Sequence, residues 1–476
     1  MVIAIKEKES KVKVNIRGIV LSKLRQVEVE LDKSLDASKE IFAMNDRKLC
    51  SAEQGMEILN RYSGTFNVAT VGRILGLLTE ETVRLALDYI QNRHPRLNSR
   101  IVGDLDNLRF ETGAKKIPLR VVDKQREGQW QEILLQELNA QIKSSEVLLR
   151  AVLVRPETEE SAGHLILTMH HAITDGLSSI RLHSELLTYC QKIASGELNA
   201  PETSKLRALP PVDELLPAST KGLKGKLDST LFLLRLKLKQ LWYRPETLNF
   251  EKTVPIEQRS CGIVCRQLDA DFTQKLINLC RQENTTVQGA LGAAMMLAVA
   301  KKIKSGQKTR VFCRTYVDLR KRLKPAISDE NLGILVSSLT SFHSTNSSFW
   351  ELARDLRQQL EVGLNRSDVF SPVLIIRKIV ELALNQSDRA VVTVAITNIG
   401  QVNIPRVYGQ FELSEISFVP SVTAFGGIFT AAVTTFDGKM FLNFPFSKPA
   451  LSNKTMETLA DSALSYLVDA AKGNMP

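Results

Sequence analysis

Residues 164–176 read HLILTMHHAITDG, and no other stretch limits the possible folds of this chain so tightly. The apolar run Leu165–Met169 has the length and content of a buried strand. It runs straight into His170 and His171, then three residues, then Asp175 and Gly176. An apolar-periodic helix follows, with Ile180, Leu186, Leu187 and Ile193 on one side. The fold must therefore carry two imidazoles and a carboxylate in the turn between a buried strand and a helix start. Such turns sit where rigid elements can aim a side chain into a cleft.

The chemistry this suits is general base catalysis. A neutral imidazole takes a proton from a hydroxyl or amine near neutral pH. Neighbouring side chains on a strand point to opposite faces, so only one of the two histidines faces a given cleft. Two roles are open for Asp175: orienting the base directly, or holding the turn by pairing with a cation elsewhere. No serine or cysteine nucleophile motif lies nearby, so transfer needs no covalent enzyme intermediate. A lone histidine at a strand end is ordinarily a core or rim residue. The complete HHxxxDG string is different, arising by chance in a chain this long on the order of one time in a thousand.

HHAITDG resembles the HHxxxDG signature of the chloramphenicol-acetyltransferase-like superfamily, which includes peptide-synthetase condensation domains, alcohol acetyltransferases and polyketide-associated acyltransferases. The resemblance implies an α/β fold of two subdomains, each a mixed sheet with flanking helices, with an active-site tunnel at their interface. It implies that the second histidine, His171, is the catalytic base. His170, Asp175 and Gly176 would support the site, with Asp175 salt-bridged to an arginine from the other half. The string TYVDLRKRL is similar to the segment that supplies this arginine, which makes it Arg320. Asn398-Ile399-Gly400 is similar to the family's strand running into the cleft, so Asn398 and Gly400 are expected to line it. The DFGWG sequence of BAHD-type acyltransferases is absent, and the order of segments over 47–476 is closest to the phthiocerol/phthiodiolone dimycocerosyl transferase type.

At 476 residues, the chain is long enough for two domains with ample core. Its 43% hydrophobic and 24% charged residues are those of a globular protein, and no run approaches a membrane span. Met1–Ser10 has no apolar signal region, so the expected location is the cytoplasm. The six cysteines are scattered, which argues against a disulfide framework. Cys261-x-x-x-Cys265, the one close pair, has no histidine or second pair beside it, so no metal site is expected. The net charge of +11 is compatible with nucleic acid, an anionic membrane or an acidic partner. Nucleic-acid signatures are missing, with no zinc-finger spacing, no RNP-type strand and only 6% aromatic residues.

Four regions are expected: an extension (1–46), a first acyltransferase subdomain carrying HHxxxDG (47–205), a linker with a basic amphipathic helix (206–250), and a second subdomain (251–476). Ser51 with Gln54 reads as a capping box. Thr79, followed by two acids, opens a helix with Val83, Ala86, Leu87 and Ile90 buried, which Pro95 stops. His94, just before that proline, reads as structural. Residues 148–155 should pair antiparallel with 164–170. Lys221–Arg244 interleaves seven cations and many apolar residues with Asp228 alone. It reads either as an inter-domain helix buried on one side and solvated on the other, or as a patch for a membrane surface or acidic carrier protein. In the second half, Asp437-Gly438 marks a hairpin turn and Asn453 the cap of the last helix.

The expected activity is acyl transfer from acyl-CoA or a phosphopantetheinyl carrier protein to a hydrophobic alcohol or amine, by a monomer with no bound cofactor. An amide-forming condensation enzyme and a non-catalytic carrier-recruitment module are the alternatives. A metal hydrolase using His170, His171 and Asp175 is disfavoured because adjacent strand side chains point apart.

Overall fold

The computed structural model describes residues 45–156, 158, 161–198, 205–303 and 309–473. Within the extension the sequence QVEVELD at 26–32 has a strand-like alternation, and it lies outside the described residues. In chain order the first half supplies α1 (Ser51–Tyr62), β1 (Asn67–Leu75), α2 (Glu80–Arg93), β2 (Ser99–Val102), β3 (Arg109–Thr112), β4 (Leu119–Asp123), α3 (Gln129–Asn139), β5 (Leu149–Arg155), β6 (Gly163–His170) and α4 (Gly176–Ala194). The long helix α5 (Gly222–Tyr243) follows. Next come β7 (Ser260–Leu268), α6 (Ala270–Gln282), α7 (Val287–Ile303), β8 (Arg310–Asp318), β9 (Val336–Ser344), α8 (Phe349–Asn365) and α9 (Ser371–Leu384). The chain closes with β10 (Val394–Gln401), β11 (Val407–Tyr408), β12 (Phe411–Pro420), β13 (Phe429–Phe436), β14 (Lys439–Lys448) and α10 (Asn453–Ala471).

Among the described residues the strands form two six-stranded mixed sheets, ordered β11-β12-β1-β6-β5-β4 and β7-β14-β13-β10-β8-β9, and a separate two-stranded one, β2-β3. β6 lies between β1 and β5, antiparallel to both, as expected for 148–155 against 164–170. Every residue of β6 is buried, which explains why its sequence is continuously apolar rather than alternating. In the second sheet β10 runs parallel to β8 and β13. β13 and β14 join through Asp437 (φ 48°) and Gly438 (φ 76°), both left-handed, the backbone a two-residue hairpin needs.

The second half does not stay in one lobe. β12 pairs along β1 in the first sheet, where Leu413, Ile416 and Phe418 are buried and would otherwise leave an open strand edge. Helix α9 lies on α1, where Arg377 Nη1 donates to Gln54 Oε1 at 2.9 Å. The principal core is accordingly continuous across both halves, running from Leu165, Leu167 and Ile180 through Ala172 and Ile173 to Leu319 and Leu335. A second core lies between the other sheet and helices α7, α8 and α10.

Helix starts follow the sequence with shifts of one residue. Thr79 caps α2, its Oγ1 accepting from Thr82 N–H. At α1 the cap is Cys50 with Glu53 rather than Ser51 with Gln54, the Glu53 carboxylate accepting the Cys50 N–H at 2.8 Å. At α10 it is Ser452 rather than Asn453.

Candidate active site

The backbone leaves β6 through a single helical turn at His171–Ile173 and enters α4 at Gly176. His170 and His171 diverge there, as strand alternation requires. His170 is fully buried, with its Nδ1 accepting the Ala172 N–H at 3.1 Å. Its Nε2 lies 2.8 Å from Glu57 Oε2, though not along a good hydrogen-bond direction, so this is a close polar pair rather than a linear bond. Burial alone would raise the Glu57 carboxyl, but His170, Ser144 and Arg61 together hold it below its ordinary range. His170 thus pins the turn from behind.

His171 is only partly buried. Its Nδ1 sits 2.8 Å from the Thr174 carbonyl, an acceptor, so Nδ1 carries the proton and Nε2 keeps its lone pair. The ring stacks on Phe66, with centroids 5.4 Å apart and planes 14° from parallel. Phe66 in turn meets Phe425 edge-on. Burial pushes the His171 pKa below its ordinary value, outweighing the Thr174 carbonyl and Asp175, which act the other way.

Asp175 caps α4 and joins the halves. Its Oδ1 accepts from Ser178 N–H at 2.9 Å and from Arg320 Nη2 at 3.0 Å, while Oδ2 accepts the Leu335 N–H at 3.0 Å. Arg320, 1% exposed, also donates to Ser178 Oγ and Asp318 Oδ1, both at 2.6 Å. Burial opposes ionisation of Asp175, but Arg320 and the two amides hold its carboxyl below the usual range, and the pair raises Arg320. Of the two roles the sequence left open for Asp175, the geometry is that of the cross-lobe pair. The group beside the His171 ring nitrogen is the Thr174 carbonyl. Gly176 is required by packing, since a Cβ there would stand 2.7 Å from the Phe418 ring.

Asn398 and Gly400 form a bulge where β10 slips against β13. Gly400 takes φ +69° and its N–H donates to Asn398 Oδ1 at 2.9 Å. Among the described residues, no hydrogen bond or ring contact ties this bulge to His171. A narrow crevice does adjoin the turn, lined by Arg47, Glu53, Arg96, Ala172, Ile173 and Leu335. It borders the backbone of the motif rather than the His171 ring.

His94 is structural, buried with its Nε2 2.8 Å from Glu185. Three residues that sequence reading passed over form a Ser–His–Asp chain on β9 and α8. His343 Nε2 lies 2.7 Å from Ser341 Oγ, and Nδ1 lies 2.6 Å from Asp355 Oδ2. Ser341 is only 3% exposed, so its hydroxyl has no access for a substrate carbonyl and the chain braces the strand. Its histidine lies two residues from its serine, and that spacing on one strand was the available signal.

Two family models match the sequence: the condensation domain over residues 49–205, and the phthiocerol/phthiodiolone dimycocerosyl transferase C-terminus over residues 261–444. No curated protein sequence matches significantly. Among solved structures, the trichothecene 15-O-acetyltransferase of Fusarium sporotrichioides is 14% identical with a TM-score of 0.73, over 89% of this chain and 95% of that one. Polyketide synthase associated protein 5 of Mycobacterium tuberculosis is 16% identical with a TM-score of 0.64, over 89% and 98%. The first condensation domain of the calcium-dependent antibiotic synthetase is 13% identical with a TM-score of 0.66, over 90% and 96%. At such identities the structural likeness speaks for the fold. Two mixed sheets joined through an HHxxxDG turn define the chloramphenicol-acetyltransferase-like class. Within it the front of the chain is similar to condensation domains and the back to the C-terminus of phthiocerol/phthiodiolone dimycocerosyl transferases, and the chain is an acyltransferase.

Proposed function

We propose that the protein moves an acyl group from a CoA or carrier-protein thioester to a hydroxyl of a hydrophobic acceptor, with His171 Nε2 as general base. The observation that carries this reading is the Thr174 carbonyl on Nδ1, which fixes the tautomer whose Nε2 takes up a proton. This reading requires donor and acceptor to reach Nε2 from opposite sides, where the two lobes meet. Nε2 removes the acceptor O–H proton as that oxygen attacks the thioester carbonyl, forming the C–O bond. The tetrahedral intermediate collapses with breakage of the C–S bond, and the imidazolium returns its proton to the departing thiolate. No enzyme residue is acylated. The oxyanion needs a hydrogen-bond donor, and the backbone N–H groups near Gly176 and polar groups of the second lobe, Asn398 among them, are the candidates.

The trichothecene acetyltransferase, named for O-acetylation, supports an ester product. The condensation-domain match keeps an amine acceptor as the second reading. The test incubates the protein with a panel of acyl-CoAs and long-chain alcohols or amines and follows products by mass spectrometry. His171→Ala is expected to lower the rate about 10²–10⁴-fold with an unchanged thermal melt. Normal turnover by a folded His171→Ala protein would remove His171 as the base. Binding of a carrier protein without any transfer would point to recruitment instead.

A further inference from the structure

Helix α5 has apolar faces on two opposite sides. The inner side carries Phe232, Leu233, Leu236 and Tyr243, with Leu236 and Tyr243 packed beside Phe312 and Phe342. The outer side is a row of leucines, Leu227, Leu231, Leu234, Leu238 and Leu241, which are 65, 45, 53, 56 and 62% exposed. Trp242, 81% exposed, stands at its end. The alternating spacing of four and three residues keeps the row in one line. Among the described residues, six of the thirteen large apolar side chains that stand exposed are on this single helix, so the row is a patch and not scatter. At 3.6 residues per turn, Lys237 and Arg244 fall along one border of the row and Arg235 along the other, while Lys239 leans back with its Nζ over the Phe342 ring on the inner side. Asp228 is the only acid on the helix. Asp368, behind it, faces Arg235 and Lys239 and offsets part of their charge.

We propose that α5 seats the protein on the surface of an anionic lipid bilayer. The leucine row enters the boundary between headgroups and acyl chains, Trp242 sits at headgroup level, and the bordering cations meet lipid phosphates. The helix lies on the bilayer rather than through it, since no helix of the described residues is long and apolar enough to cross. A second copy is the poorer occupant. A two-helix seam is normally bordered by opposite charges, whereas here Arg235, Lys237 and Arg244 would face their own kind. An acidic carrier protein would satisfy the cations but not a leucine row running the length of the helix. The proposal is independent of His171, because lipid binding and acyl transfer are read separately.

The test is co-sedimentation of the full chain with phosphatidylcholine vesicles, with and without phosphatidylglycerol, at low and raised salt. Binding to the anionic vesicles is expected to be about tenfold or more tighter, and weakened by salt. Leu231→Ser, Leu234→Ser and Leu238→Ser combined should abolish it while leaving the melt unchanged, because all three side chains stand in solvent. Trp242 fluorescence should shift to shorter wavelength on binding, a change lost in Trp242→Phe. Failure to bind either vesicle, or binding that survives the triple variant, would overturn the proposal. So would a concentration-dependent dimer in light scattering that the triple variant abolishes, which would give the row to a second copy.

Discussion

A histidine serves as a base only through the nitrogen its neighbours leave alone, and at position 171 a backbone carbonyl makes that choice. Because burial lowers the His171 pKa, the ring stays neutral below the ordinary histidine range. The acid limb of kcat/KM against pH is therefore expected below about 6.5, the unperturbed value, and a limb above it would contradict this environment. Asp175 answers to a different measurement. Asp175→Ala leaves Arg320 buried with reduced compensation, removes the cap of α4 and orphans the Leu335 N–H. A loss of about 3–5 kcal/mol in urea unfolding is expected, whereas His171→Ala should leave stability nearly unchanged. The motif made His171 and Asp175 legible, and a second similar string made Arg320 so. Thr174 was not, because a carbonyl belongs to every residue and leaves no mark in the sequence. Glu57 was not, because its closeness to His170 arises only when α1 lies against the turn.

Elements meet this site through close packing that tolerates little change. Gly176 begins α4 directly against Phe418 of β12, so Gly176→Ala drives a methyl into the ring. A loss of about 1–3 kcal/mol is expected in urea unfolding, partly recovered by adding Phe418→Leu, which clears the contact. Full stability of the single variant would show that the helix start can shift. Strand and helix identities were readable here because the apolar period changes from continuous in β6 to helical in α4. The α1 and α10 caps were each displaced by one residue, since neighbouring polar side chains compete for the same amides and the sequence does not rank them. The faces of α5 were the harder case. Leucines occupy both sides of that helix, and only the positions of Phe312 and Phe342 decide which side the protein covers.

Across the whole molecule, burial of neutral histidines adds to the response to acid that the paired carboxylates Asp175 and Glu57 also carry. His183, enclosed between α4 and β1 with Nδ1 2.9 Å from Thr70 Oγ1, is pushed down by burial to about 3. His164, stacked on Trp130, is pushed down to about 4, mainly by burial and then by Arg73 and Lys124. Both folded values lie below the unfolded one, so the unfolded chain binds these protons first. Their contribution is complete above pH 6.5 and drains away as pH falls toward about 4 and 3, at up to roughly 1.4 kcal/mol per pH unit for each. Urea midpoints measured at pH 7 and pH 5 should reveal the drop, and equal midpoints would contradict it. The two-lobed arrangement was legible from the resemblance, but the route of 407–420 was not, because an apolar alternating strand fits either sheet. That route makes the two halves poor candidates for recombination. A hybrid joined at 206–250, taking its front from this chain and its back from a distant relative, would inherit a foreign strand to zip against β1. It would also inherit a foreign ring above Gly176, so the workable crossover has to carry β12 along with the front.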